Sequence, residues 1–117
     1  MIISEIEGKI WLDGAFCDWK EANIHVLTHT LHYGTGVFEG VRAYKTDTGT
    51  CIFRLQDHTE RLFQSASLIG MDIPYSHEEL MSIQKESVKV NNLDNAYIRP
   101  ICFYGNEGMG LRADNLK

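Results

Sequence analysis

A chain of 117 residues and 13.3 kDa is the size of one ordinary domain, and such a chain buries roughly two-thirds of its unfolded surface without disulfide or metal staples. A content of 44% hydrophobic and 23% charged residues is globular and excludes a disordered tail, a coiled coil and a collagen-like repeat. Eleven basic against sixteen acidic residues leave a formal charge of -5, which argues against a generic binder of nucleic acid or of anionic membrane.

No apolar run approaches the roughly 18 residues of a membrane span, and the start MIISEIEGKIW has neither a basic leader nor a signal-length apolar segment. The expected compartment is cytoplasmic. Cys17, Cys51 and Cys102 are odd in number and far apart, so they read as reduced thiols. His25 and His29 lie four apart but have no acidic third ligand nearby, so no metal site is expected.

In chain order, IWLDGAFCDW is two alternating runs about Asp13-Gly14, the pair a type I′ hairpin turn requires. HVLTHTLHYGTG begins with helical apolar spacing (Val26, Leu27, Thr30, Leu31) and is broken by Gly34 and Gly36. VFEGVRAY, residues 37–44, and CIFRL, residues 51–55, form an expected second hairpin across KTDTGT. Asp57 with Glu60 three residues on resembles a capping box, and Leu62, Phe63, Ala66 and Ile69 continue a helix face to Gly70. A second helix is expected from Ser76, with Glu79 at the matching position and a stop at Asn91-Asn92. AYIRPICFYG, residues 96–105, reads as a strand with an edge or bulge at Pro100. Hairpins around two consecutive helices predict an α+β domain with an antiparallel sheet. The tail NEGMGLRADNLK carries no signal that finishes a fold, so residues 1–117 are expected to be the N-terminal part of a longer protein.

Alternation places Tyr97 and Arg99 on one strand face. They read either as an aromatic covering an Arg stem at a sheet edge or as a carboxylate clamp, because a guanidinium binds a planar carboxylate in two places and a phenol adds a directed O–H. Arg61, expected in the first turn or so of its helix, is a surface group or a phosphate ligand acting with helix amides. Phe38, Gly40 and Arg42 share a strand face. Glycines beside aromatics there permit either a tight helix-to-strand turn or the approach of backbone to a flat ligand.

Three strings, HTLHYGTGVFEGVRAY, FRLQDHTERL, and AYIRP followed by GMG, resemble in order and spacing the N-terminal small domain of branched-chain amino acid aminotransferases. These are class IV, fold type IV pyridoxal-phosphate enzymes, and the resemblance runs from about Lys9 to Leu111. It implies that Arg61 binds the phosphate of pyridoxal 5'-phosphate. It implies that Tyr97 and Arg99 handle substrate carboxylates, Arg99 taking the side-chain carboxylate of glutamate or 2-oxoglutarate. Phe38 and Gly40 would line the apolar substrate pocket, and Tyr33 and Leu111 would reach the partner subunit's site in a homodimer or higher homo-oligomer. The implied reaction exchanges an amino group between leucine, isoleucine or valine and 2-oxoglutarate. The Schiff-base lysine would lie in a C-terminal domain beyond Lys117. Lys9, Lys20, Lys45, Lys85, Lys89 and Lys117 occupy strand starts, turns, a polar helix face and the terminus, none apolar enough to tune such an amine. The chain alone is therefore expected to be inactive and not to retain the cofactor. D-amino acid transaminases, aminodeoxychorismate lyases and a non-catalytic α+β dimerisation or binding module are the competing readings.

Overall fold

The structure, a computed structural model, describes residues 7–105. Strands β1 (Lys9–Leu12) and β2 (Ala15–Asp18) form the first hairpin, paired from Lys9↔Asp18 to Leu12↔Ala15. Asp13 and Gly14 both hold positive φ, 48° and 104°, as the turn demands. The hairpin is tied to the body at two points. Asn91 accepts from the Lys9 amide at 2.7 Å and donates to its carbonyl at 3.0 Å, and Trp11 meets Tyr75 edge-on at 5.1 Å.

Helix α1 (His29–Tyr33) is shorter than the apolar spacing from Val26 predicts. Val26 and Leu27 precede it, and Val26, Leu27 and Leu31 are exposed, so no packing extends the helix backward. His25 is outside the helix, and its Nδ1 accepts from the Leu27 amide. Its i, i+4 spacing to His29 therefore does not place the two rings on one helix face.

Strand β3 (Gly36–Phe38) pairs with β7 (Ile101–Phe103), and β4 (Val41–Thr46) pairs with both β5 (Gly49–Ile52) and β6 (Ala96–Ile98), all antiparallel. The second hairpin is thus β4–β5, and the expected strand 37–44 is interrupted at Glu39-Gly40. The expected strand 96–105 is likewise divided at Arg99-Pro100. Pro100 has no N–H, so the pair it forms with Glu39 keeps a single ladder bond, Glu39 N–H to Pro100 O at 3.0 Å, where two are normal. Register survives the break. Phe38↔Ile101 on one side and Val41↔Ile98 on the other put Gly40 opposite Arg99, so the two ladders form one ribbon with two continuous faces.

Helix α2 (Leu55–Leu68) begins earlier than the Asp57–Glu60 pattern implies, and that capping box does not form. Its N-cap is Arg54 at φ 52°, without a side-chain cap. Asp57 instead accepts from Arg54 Nε at 2.7 Å, and Glu60 accepts from Gln56 at 3.2 Å. Helix α3 (His77–Val90) does carry its capping box, Ser76 Oγ accepting from the Glu79 amide at 3.1 Å while Glu79 accepts from the Ser76 amide. The two helices pack together, Leu62 of α2 and Leu80 of α3 are buried, and the buried Gln84 amide donates to Thr59 Oγ1 at 3.1 Å across them. Val41 and Ala43 are buried on the ribbon's inner face, and Ala66, Met71 and Tyr104 form a core cluster with Val37, Ile73 and Cys102.

Among the described residues no helix is long and apolar enough to cross a membrane, and no three His, Cys, Asp or Glu side chains are grouped to hold a metal. The three cysteines are free thiols, and burial pushes the Cys102 thiol up. Replacing Leu62, 1% exposed, by Ala should cost about 2–5 kcal/mol through lost transfer energy and a cavity. Ser76→Ala should cost about 1 kcal/mol through the lost cap. Urea unfolding of each variant at neutral pH reads both, and the order of the two losses checks that the α2 face outweighs the α3 cap.

Candidate functional site

The ribbon's outer face carries Phe38, Gly40 and Arg42 from one edge and Tyr97, Arg99 and Ile101 from the other. Phe38, Tyr97 and Ile101 are each about half exposed or more. On this face the Arg99 guanidinium sits 4.3 Å above the centre of the Phe38 ring, within cation–π range. Its Nη2 donates to the Tyr97 hydroxyl at 2.7 Å. Arg42, directly across the ladder from Tyr97, lies 5.6 Å from the centre of that ring. Among the described residues, neither Arg42 nor Arg99 has a carboxylate within salt-bridge range. A chain of net charge -5 therefore presents a local surface of two guanidinium groups and a phenol, suited to an incoming carboxylate.

The ribbon's inner face carries a group that sequence reasoning missed. Glu39, in register with Val37 and Val41, is 6% exposed and reaches α2. Its Oε2 accepts from Arg61 Nε at 2.7 Å, and its Oε1 accepts from Arg61 Nη2 at 2.8 Å and from His58 Nδ1 at 2.9 Å. His58 and Arg61, three apart, share a helix face. Because an ionised carboxylate only accepts, the His58 proton belongs on Nδ1. The Arg61 hydrogen bonds hold the Glu39 carboxyl below the usual carboxylate range against the opposing effect of burial, and His58 adds to that lowering. Glu39 in turn raises Arg61. An acid in phase with the inward-facing Val37 and Val41 was the available sequence signal.

Arg61 is the seventh residue of α2, nearly two turns from the N-terminus at ~3.6 residues per turn. It therefore stands beyond the first turn in which the sequence pattern expects it. Its side chain is 63% exposed, and the Glu39 pair uses Nε and one edge of Nη2, leaving Nη1 outside that pair. The donor chemistry fits the phosphate end of pyridoxal phosphate: a guanidinium fixed from behind by a carboxylate, with donors still directed outward. Tyr33, 46% exposed, closes α1 away from the Arg99 cluster's own contacts, with its ring 4.5 Å from that of His29. Leu111 lies outside the described residues. Lys9, Lys20, Lys45, Lys85 and Lys89 are all exposed.

The family model for amino-transferase class IV matches residues 36–116, which contain both guanidinium sites. The chain belongs to the class IV aminotransferase family. It is 59% identical over 117 residues to the branched-chain-amino-acid aminotransferase of Pseudomonas aeruginosa, covering 100% of this chain and 38% of that one. Identity to the Escherichia coli K12 enzyme of the same name is 43% over 102 residues, 87% of this chain and 33% of that one. Among solved structures, the T.th. branched-chain amino acid aminotransferase is 47% identical over 89% of this chain and 35% of its own. The TM-score is 0.87 for its complex with 4-methylvaleric acid and 0.86 for that with N-(5'-phosphopyridoxyl)-L-glutamate. The chain thus spans about a third of the length of these relatives, and its antiparallel α+β fold is that of class IV aminotransferases.

The depressed Glu39 pKa fixes a pH dependence. Its contribution to stability is fully present above the unfolded carboxyl value of about 4.3 and is lost as pH falls through the lower folded value. Glu39→Gln should therefore lower the unfolding temperature at pH 6–7, with the gap to the parent narrowing below about pH 4. Melting both proteins across that range checks the sign.

Proposed function

We propose that this chain forms the small domain of a branched-chain-amino-acid aminotransferase, covering a pyridoxal 5'-phosphate held mainly by a second, lysine-bearing domain. The observation that carries the reading is Arg99. Its guanidinium lies on an exposed face between a phenol and an aromatic ring, without a carboxylate partner among the described residues. The 4-methylvaleric acid and phosphopyridoxyl-glutamate complexes of the T.th. relative pair an apolar with an acidic ligand, and both chemistries have a counterpart here.

In this reading Arg61 binds the cofactor phosphate, with Glu39 holding its fork at a fixed angle. Tyr97 donates its hydroxyl to a substrate carboxylate, and Arg99 takes the second carboxylate of glutamate or 2-oxoglutarate. Phe38 and Gly40 border the aliphatic side chain of leucine, isoleucine or valine. Tyr33 and Leu111 face the site of a partner subunit in a homodimer or larger homo-oligomer. When bound, the cofactor supplies the electron sink that lets the substrate's α-carbon lose a proton. This chain contributes orientation, charge and exclusion of water, and its exposed lysines leave it unable to turn over by itself.

Arg99→Ala in the complete enzyme should damage the half-reaction with glutamate far more than that with leucine, because only glutamate brings a second carboxylate. A hydrogen bond to a charged group contributes about 1.5–3 kcal/mol, so kcat/KM for glutamate should fall on the order of ten- to a hundred-fold. Arg99→Lys should recover part of this, since an ammonium keeps the charge and loses the fork. Equal losses in the two half-reactions would remove the dual-substrate role. The purified 117-residue chain, assayed with leucine and 2-oxoglutarate in the presence of added pyridoxal phosphate, should show no turnover above a host-enzyme blank.

A further inference from the structure

Gly40 is a glycine for lack of space, not for backbone freedom. It is absent from the residues with positive φ, so its backbone tolerates any L side chain. A Cβ built there would lie 2.3 Å from the Tyr97 hydroxyl oxygen, 3.0 Å from Cζ and 3.3 Å from Cε2. The first distance is shorter than real Cβ atoms show, so with a Cβ at position 40 the hydroxyl end of Tyr97, the movable tip of a half-exposed side chain, would have to shift. That hydroxyl is also the atom to which Arg99 Nη2 donates at 2.7 Å. Tyr97 has another close neighbour in Arg42, whose guanidinium carbon is 5.6 Å from its ring centre. In the pairing register, Gly40↔Arg99 and Arg42↔Tyr97 are both pairs without mutual ladder bonds, the kind whose side chains stand closer together.

We propose that Gly40 is a positioning residue for carboxylate recognition: its bare Cα is the seat of the Tyr97 hydroxyl and, through that hydroxyl, sets where the Arg99 guanidinium stands above Phe38. This rests on the reading of Tyr97 and Arg99 as the carboxylate-binding pair and differs from the simpler view of Gly40 as a wall of the apolar pocket. A wall residue controls volume, so adding a methyl group would penalise leucine more than a smaller amino acid. A seat controls the phenol, so the same methyl group would displace Tyr97 and act first on the dicarboxylate, whichever apolar substrate is used.

The test is a double-mutant cycle in the complete enzyme, with Gly40→Ala, Tyr97→Phe and the double variant. Tyr97→Phe deletes the oxygen responsible for the closest approach and leaves only contacts that a shift of a few tenths of an ångström relieves. Gly40→Ala should lower the unfolding temperature in the parent and much less in the Tyr97→Phe background, the non-additivity that residues in contact show and distant independent ones do not. With Tyr97 present it should raise KM for glutamate roughly ten-fold while kcat falls less, and the losses with leucine and with valine should be equal to each other. Additive effects on stability overturn the seat, and so does a leucine-selective loss. Coupling in stability without any change in the glutamate KM keeps the seat and overturns the carboxylate reading beneath it. Should Gly40→Ala not fold, the same change is made on Tyr97→Ala, where the space is open. Recovery of a cooperative melt there supports the seat, and continued failure places the clash elsewhere and refutes it.

Discussion

The antiparallel pairing of residues 36–43 with residues 96–103 at one register is the constraint on which both sides of the site depend. Because strand side chains alternate, this register sends Val37, Glu39, Val41 and Ala43 inward and Phe38, Gly40 and Arg42 outward. A slip of one residue would exchange the sets, exposing the valines and driving Arg42 and Phe38 into the core. The pairing holds its register across Pro100 although proline removes a donor there. The Glu39 amide keeps the remaining bond, and the flanking pairs Phe38↔Ile101 and Val41↔Ile98 bracket the gap. The Pro100 gap and the Gly40 approach sit side by side, so the least regular point of the sheet is also where its chemistry gathers, as bulges and breaks next to sites commonly do.

The two faces treat their arginines in opposite ways. Arg61 is matched by a buried carboxylate, which fixes the direction of its fork and cancels most of its charge. Arg99 rests on neutral π-systems, which orient it while leaving its charge intact. Under the proposed reading Arg61 meets a phosphate that stays bound, and a pre-aimed donor set held by its own carboxylate supplies directed hydrogen bonds at a fixed angle. Under the same reading Arg99 meets a carboxylate that arrives and leaves each cycle, and an unneutralised guanidinium on an exposed face gives attraction without a prior ion pair to break.

Much of this is legible in the residues because it depends on local rules. Asp13-Gly14 needs positive φ at two positions, Ser76 and Glu79 satisfy each other's amides, and strand alternation puts Phe38 with Gly40 and Tyr97 with Arg99. The failures come from tertiary competition. Asp57 has the spacing of a cap, but the helix reaches back to Leu55 and the Asp57 carboxylate is taken by Arg54. Val26 and Leu27 share helical spacing with Leu31, yet both stand exposed ahead of α1, and spacing with little surface to bury against does not extend a helix. Glu39 escapes notice because an acid reads as a solvated residue by default. Only its phase with Val37 and Val41 marks it as inward-facing, and only the fold supplies the Arg61 that makes inward tolerable.

Three glycines within LHYGTGVFEG show why the remainder is legible only in the fold. Gly34 holds φ 66° and ends α1, a backbone requirement that many helix stops share. Gly36 is pressed by Thr30 Cγ2, which would stand 2.9 Å from a Cβ at that position, a packing requirement between α1 and β3. Gly40 meets a hydroxyl that is itself hydrogen-bonded to a charged group, a requirement set by the side chain of a residue 57 positions later in the chain. One letter thus records three causes: a torsion angle, a contact with a neighbouring helix, and a contact with the site. Sequence periodicity can find the first, because it is local. The third is fixed only when the register of two distant strands is known, and that same register decides which arginine faces solvent and which is bound to a buried acid.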